Sequence, residues 1–290
     1  MSQPQVKKAL VTGSEGFVGR HLVPKLTAAG YTVCHVDKKL GGNCDVEYLT
    51  KSVYAKEKWD VIIHLAVNSR QLDERLICGV DAYQDLELDL AMARYVEANP
   101  PNELYLYPTS GATDTPRDPY AWVKLSGEQL GRRLARQGVP VTMLRPFGGY
   151  GEDQDKSFPF RAILERALRG ERPIKVWGSG DQVRDWIHID DLSDAFMWAI
   201  DRAPFGGQPV DIGTGVGTTF RKLAEMIARE VSPRSPAPVM ADESKPGSSW
   251  SRIANTGVAG RQGFYTKITL AEGIRRAVAA QREMFVEATD

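Results

Sequence analysis

The chain has 290 residues, 42% of them hydrophobic and 26% charged, which suits one large folded domain or two modest ones and excludes a disordered or fibrous chain. Lys plus Arg equals Asp plus Glu at 37 each, so the basic footprint of a nucleic-acid binder is missing. No stretch is long and apolar enough to cross a bilayer, and Met1 to Ala9 has no apolar signal region, so a cytoplasmic protein with no membrane partner is expected. Cys34, Cys44 and Cys78 lack metal spacing and read as reduced thiols, with no metal site.

In chain order, Ala9–Val11 is a short apolar run ending in Thr12-Gly13, and His21–Ala29 reads as a helix stopped by Gly30. Tyr31–Val36 is a β-branched and aromatic strand closed by Asp37, and Val61–Ala66 is a buried run. Leu86–Ala98 carries a helical stripe of Leu86, Leu90, Ala93 and Val96, stopped by Asn99-Pro100-Pro101. Leu104–Tyr107 predicts a strand, Tyr120–Arg136 a helix and Val139–Leu144 a strand. Strand and helix in alternation, with near-continuous apolar strands, imply a parallel sheet covered on both faces. After Arg145 the rhythm loosens. Phe160–Arg169 and Leu192–Arg202 read as helices around a short strand Ile174–Trp177; Thr219–Glu230 and Leu270–Ala288 are helices separated by the loop Ser232–Pro238. The expectation is a regular nucleotide-binding domain over 1–150 and a smaller mixed α/β part over 151–290, with an interleaved boundary.

Two motifs carry chemistry. Gly13-Ser14-Glu15-Gly16-Phe17-Val18-Gly19 is G-x-x-G-x-x-G between a strand and a helix. Its glycines let the backbone turn sharply and approach a pyrophosphate, and the helix N-terminus supplies N–H donors. Asp37, at the end of the next strand, can accept hydrogen bonds from a ribose 2′-OH and repel a 2′-phosphate. In Tyr120-Ala-Trp-Val-Lys124 the phenol and the ammonium share one helical face. A neighbouring cation stabilises a phenolate, which makes Tyr120 an acid/base for a sugar or alcohol hydroxyl. The strand before it ends in Thr109-Ser110, whose hydroxyl can orient the same oxygen.

Further motifs stand in order: His64-Leu65-Ala66-Val67, Arg145-Pro146-Phe147-Gly148-Gly149-Tyr150-Gly151, Gly178 through Asp191 (GSGDQVRDWIHIDD), and Asp211-Ile212-Gly213-Thr214-Gly215. With Thr12–Gly19 this set resembles the extended short-chain dehydrogenase/reductases, the NAD-dependent epimerase/dehydratase group that acts on nucleotide-sugars. The resemblance runs from about Lys8 to about Val278 and implies a Rossmann-type doubly wound sheet with NAD as cofactor.

The resemblance assigns roles by position. Ser110, Tyr120 and Lys124 form the catalytic set. Gly13, Glu15, Gly16, Phe17, Val18, Gly19, Asp37, Lys38, Leu65, Ala66 and Val67 lie along the cofactor with Tyr120 and Lys124, and Asp45 and Val46 contact the adenine. Ser110, Gly148, Trp177, Arg184 and Arg252 fall on the side of a nucleotide-diphosphate sugar, the two arginines facing its diphosphate. Trp177 and Trp186 also read as core or edge residues, and His188 as a structural histidine. A homodimer is implied, through helices near Leu86–Ala98 and Tyr120–Arg136, with Met92, Tyr95 and Leu134 as face or core.

The chain departs from the group in three places. Ser110 and Tyr120 stand closer together than is usual. Gly148 replaces an Asn. Leu88 or its neighbours replace the Asn of the preceding helix. Gly111-Ala112 stand where the 4,6-dehydratases of the group carry Asp-Glu. What remains is redox at one carbon, which fits an NAD-dependent nucleotide-sugar epimerase that removes and returns a hydride at C4. A 4-keto reductase or dehydratase, and a non-catalytic dinucleotide-binding protein on the same fold, are the alternatives.

Overall fold

The computed structural model describes residues 6–40, 49, 51, 57–67, 80–114, 119–202, 205–245 and 252–287. The apolar runs of the first half become β1 (Lys8–Thr12), β2 (Thr32–Val36), β3 (Val61–His64), β4 (Leu104–Pro108) and β5 (Val141–Pro146). Between them lie α1 (Phe17–Ala28), α2 (Val80–Ala98) and α3 (Pro119–Arg136). There follow α4 (Pro159–Leu168), β6 (Ile174–Trp177), β7 (Val183–Asp185), α5 (Ile189–Arg202), β8 (Pro209–Ile212), β9 (Gly217–Thr219), α6 (Phe220–Val231), β10 (Val239–Asp242), α7 (Gly257–Arg261) and α8 (Leu270–Glu287).

One six-stranded sheet runs in the order β2-β1-β3-β4-β5-β8, and its pairs from β2 to β5 are parallel. The fold is the Rossmann-type α/β sheet expected from the sequence. The register sets Thr12 beside Val36 on one side and His64 on the other. That row brings the ends of three strands to the glycine loop, where a parallel sheet of this class binds its ligands.

The chain divides into two compact units, one of Met1–Pro146 with Ser193–Asp211, the other of Phe147–Leu192 with Ile212–Asp290. The first unit is centred on Leu10, Ile62, Met92, Val96, Tyr105, Tyr107 and Met143, all buried. The second unit has its own core, in which Tyr150 and Phe160 lie 4.3 Å apart between ring centres and Trp186 meets Phe220 edge-on at 5.4 Å. In α6 the buried residues Phe220, Leu223, Ala224, Ile227 and Ala228 follow helical spacing, and the Thr219 hydroxyl caps the helix by accepting from the Lys222 amide at 3.0 Å.

The sequence places the inner stripe of α2 at Leu86, Leu90, Ala93 and Val96. The structure buries Asp85, Asp89, Met92, Ala93, Tyr95 and Val96 and leaves Leu86 and Leu90 half-buried. The helix is rotated by about one position because Asp89 finds polar partners inside, described below. Met92, Tyr95 and Leu134 lie in the core, which removes them from any association face.

Candidate active site

The glycine loop leads from β1 into α1. The helix begins at Phe17, four residues before the expected His21, so its first-turn amides belong to Phe17, Val18 and Gly19. Gly13 has φ +70°, and a Cβ there would lie 2.7 Å from the Ala66 amide nitrogen. A Cβ on Gly19 would lie 2.3 Å from the Gly13 carbonyl oxygen. Both glycines are therefore required for the loop to close on itself and on β3. The buried Ser14 Oγ has no hydrogen-bond partner among the described residues. Free amides, a side-chain-free cradle and an uncommitted hydroxyl suit a pyrophosphate.

Asp37 braces this loop. One carboxylate oxygen accepts from the Glu15 amide at 2.9 Å and the other from the Lys39 amide at 2.9 Å, while Lys39 Nζ donates to the Glu15 carbonyl at 2.9 Å. Lys38 lies exposed in the short 3-10 turn that follows. NAD is expected to bind more tightly than NADP to the wild type. In Asp37→Ala that gap should narrow and NAD affinity should fall about tenfold, the loss of a charge-assisted hydrogen bond and of the loop brace together. Titration of both dinucleotides by fluorescence checks this; tighter NADP binding by the wild type would contradict it.

Tyr120 opens α3, half-buried, and Lys124 follows one turn later with only 4% exposure. Lys124 Nζ lies 3.5 Å from the Pro108 carbonyl oxygen and 5.0 Å from the centre of the Tyr107 ring. Beneath it runs a buried polar chain. The Ala66 amide donates to Thr12 Oγ1 at 3.2 Å, Thr12 Oγ1 meets His64 Nδ1 at 2.7 Å, His64 Nε2 meets Asp89 Oδ1 at 3.1 Å, and the Tyr107 hydroxyl donates to Asp89 Oδ2 at 2.6 Å. With Asp89 ionised, the network assigns the His64 proton to Nε2 and leaves Nδ1 to accept the Thr12 hydroxyl. Burial pushes the Asp89 carboxyl up, but Lys124, His64 and Tyr107 outweigh it and hold it below its ordinary value. Burial, and then the Asp89 charge, push the Tyr107 phenol well up.

Ser110 ends the segment after β4. Its Oγ accepts from the Ala112 amide at 3.1 Å, and its carbonyl accepts from the Thr113 hydroxyl at 2.8 Å, capping a single 3-10 turn at Gly111–Asp114. The turn is fastened to the fully buried carboxylate of Glu128. Thr109 and Thr113 donate to Glu128 Oε1 at 2.9 and 3.1 Å, and Arg145 makes a two-pronged contact with Glu128 at 2.7 and 2.8 Å. Arg145 also reaches Asp114 at 2.9 Å. Burial raises the Glu128 carboxyl, but Arg145 and the two threonines bring it below its ordinary value.

In the second unit, Arg184 on β7 and Arg252 stand side by side. The two residues form a bridge, with the Arg252 amide donating to the Val183 carbonyl at 3.1 Å and the Asp185 amide to the Arg252 carbonyl at 2.9 Å. Asp185, fully buried, spends its carboxylate on the Thr214, Gly215 and Ala254 amides and the Thr214 hydroxyl. It therefore serves the backbone of the Gly213–Gly215 turn. Thr218, opposite Arg184 in the β7–β9 pair, lines a cavity of ≈ 320 Å³ shared with Trp186, Thr214 and Lys267. Two arginines on bridged backbone positions can together hold a dianion.

Gly148 has φ +52°, and a Cβ there would lie 1.9 Å from the Asp185 carbonyl oxygen. Trp177 lies 42% exposed at the end of β6, its ring 5.9 Å from the Arg166 guanidinium. Trp186 is core, and His188 is buried, with Nδ1 accepting from the Asp190 amide and Nε2 facing Glu152 at 3.2 Å, the structural arrangement expected for it.

The profile of the NAD dependent epimerase/dehydratase family matches residues 9–213. The chain belongs to that family. As a family member it is an enzyme whose cofactor is NAD. It is 29% identical to the UDP-glucose 4-epimerase of Mycolicibacterium smegmatis, over 93% of this chain and 97% of that one. Its fold superposes with a TM-score of 0.84 on the UDP-glucose 4-epimerase of Thermotoga maritima solved with UDP-glucose, at 24% identity over 96% of this chain and 99% of that one. The NAD complex of the Thermus thermophilus UDP-glucose 4-epimerase gives 0.80 at 22% identity, over 95% and 99%.

Within this family member the structure sets Tyr120 and Lys124 one turn apart on α3 and brings together Asp37 with the glycine loop, Ala66 with Thr12, and the Arg184 backbone with that of Arg252. Leu65 is held by its amide on the Thr12 carbonyl at 2.9 Å, and Val67 follows it half-buried. Trp177 stands beside Arg166, and Gly148 against the Asp185 backbone. Asp45, Val46, Cys44 and Cys78 lie outside the described residues. Asp89 and Glu128 are additions that the sequence reading passed over. The available signal was a carboxylate on the inner face of each helix, at Asp89 in α2 and at Glu128 one turn beyond Lys124.

Proposed function

We propose that this enzyme is a nucleotide-sugar epimerase that inverts one carbon of the sugar, C4, through a keto intermediate. The observation that carries the reading is Tyr120 and a buried Lys124 one turn apart on α3, beside a turn whose one carboxylate among the described residues, Asp114, is held by Arg145. Gly111 and Ala112 are buried without a proton-carrying side chain, and Asp114 is committed to Arg145. Among the described residues of that turn, no uncommitted acid or base serves the proton removal that a dehydration needs.

Tyr120 takes the proton of the sugar hydroxyl as it is oxidised and returns it on reduction. Lys124 stabilises the phenolate and contacts the nicotinamide ribose, and Ser110 orients the sugar oxygen. NAD, when bound, supplies the acceptor from which the hydride comes back. Arg184 and Arg252 take the diphosphate.

A thermal-shift panel of UDP-, GDP-, dTDP- and CDP-sugars with NAD present tests this reading. A ligand that binds only the folded state raises the melting temperature by mass action. The sugar that does so should be converted to its 4-epimer with no net change in NAD. A dehydrated or reduced product would assign the enzyme to the alternative chemistry.

For association we propose the outer faces of α2 and α3, where Tyr83 is 71% and Trp122 57% exposed and Leu86 and Leu90 are half-buried. Light scattering at micromolar concentration should report a dimer, and Trp122→Glu should yield monomer; a monomeric wild type removes the proposal.

A further inference from the structure

Lys124 presents a problem that the glycine loop and the Tyr120 pairing do not solve. An ammonium at 4% exposure has lost most of its water, and a desolvated cation without a compensating anion gives up its proton. Its contacts with the Pro108 carbonyl oxygen at 3.5 Å and the face of Tyr107 are dipolar and quadrupolar, not ionic. The compensating charge lies one group further in. Tyr107 carries Lys124 over its ring and donates its hydroxyl to Asp89 at 2.6 Å. α3 keeps the phenol in place through Gly127, where a Cβ would fall 2.1 Å from the Tyr107 hydroxyl oxygen. Asp89 is held from its other side by His64, and through His64 and Thr12 to the amide of Ala66.

We infer that Asp89 is a positioning residue of the redox site, the buried counter-charge that holds the Lys124 ammonium, across the Tyr107 ring, in register with the cofactor-binding strand end. The inference rests on the reading of Tyr120 and Lys124 as the redox pair. An apolar residue at this place on α2 would serve packing equally well. A carboxylate there, mated to both Tyr107 and His64, serves a charge. The direction of the Asp89 ionisation agrees: Lys124 is the strongest of the influences that keep it charged against its burial. The other ionisable groups on the elements around the pair are His64 on β3, Tyr105 and Tyr107 on β4, Tyr120 and Glu128 on the helix of Lys124, and Asp85 one turn before Asp89. Glu128 is occupied by Arg145, and the Tyr105 and Tyr107 phenols are pushed well up, so none of these three supplies the charge opposite Lys124.

The test measures NADH affinity by fluorescence between about pH 7 and pH 10, a range in which an unperturbed lysine stays charged over most of its course. No sugar is added, so failure of every nucleotide-sugar in the panel leaves this readout intact. In the wild type the affinity should hold until the alkaline end. In Asp89→Asn, which keeps the shape and two polar contacts but removes the charge, the alkaline loss of affinity should move down by roughly one pH unit or more. Asp89→Glu should restore the wild-type profile. In a Lys124→Met background the Asp89→Asn effect on the profile should vanish. A uniform weakening at every pH, or a shift that persists without Lys124, would overturn the inference and leave Asp89 a packing residue. If Asp89→Asn does not fold alone, Lys124→Met should rescue its melting transition by removing the uncompensated cation, and absence of rescue would also overturn it.

Discussion

Tyr120→Phe is expected to lower turnover on the order of a hundredfold or more while the protein remains folded and binds NAD, because the ring and its volume stay and the proton carrier goes. The site makes the result diagnostic. Lys124 is anchored on Pro108 and Tyr107, so it does not depend on the Tyr120 hydroxyl for its place. Ser110→Ala should cost less at the chemical step, since it removes orientation and one hydrogen bond. It should also loosen the turn, because Ser110 Oγ caps the Ala112 amide. Epimer formation from the sugar that responds in the thermal-shift panel, followed alongside NADH binding, separates the two effects. Undiminished conversion by Tyr120→Phe would remove Tyr120 as the acid/base and with it the proposed reaction.

Gly148→Asn, which would restore the residue usual in the related motif, should strongly destabilise the second unit. The backbone there has φ +52°, and the new Cβ would stand 1.9 Å from a main-chain oxygen of Asp185, which cannot rotate away. Strain and overlap together should cost about 3 kcal/mol or more. The melting temperature should fall by roughly 6 °C or more, at about 2 °C or more per kcal/mol for a chain of this size. Gly148→Ala should fall nearly as far, since the overlap begins at Cβ. A melting temperature unchanged in both variants would mean that this segment can shift away from Asp185 at little cost.

That second result illustrates where sequence reading stopped. From the motif alone, Gly148 reads as a lost substrate contact; with the Asp185 carbonyl in view it is the residue this backbone demands. The central strands were legible because each is a short apolar run buried on both faces, and Ile174–Trp177 was read with the bounds it has. β7 and β9, at three residues each, are too short to display a period. The inner face of α2 was missed by one position because counting apolar residues cannot foresee a buried carboxylate. Asp89 is satisfied by His64 and Tyr107, and Glu128 by Thr109 and Arg145, partners that arrive from other elements. The site residues tied to a local pattern, the glycine loop, Asp37 and the Tyr120-to-Lys124 spacing, were readable; the partners that stabilise them were not.

The return of Ser193–Asp211 to the first unit bears on how the protein is made. Synthesis releases β1 to β5 long before β8, which completes the edge of the same sheet next to β5. Until Ile212 has left the ribosome, β5 presents a row of unpaired amides and carbonyls, the kind of edge on which nascent chains stick to one another. The dinucleotide fold therefore matures only after Phe147–Leu192, the first segment of the second unit, has already emerged.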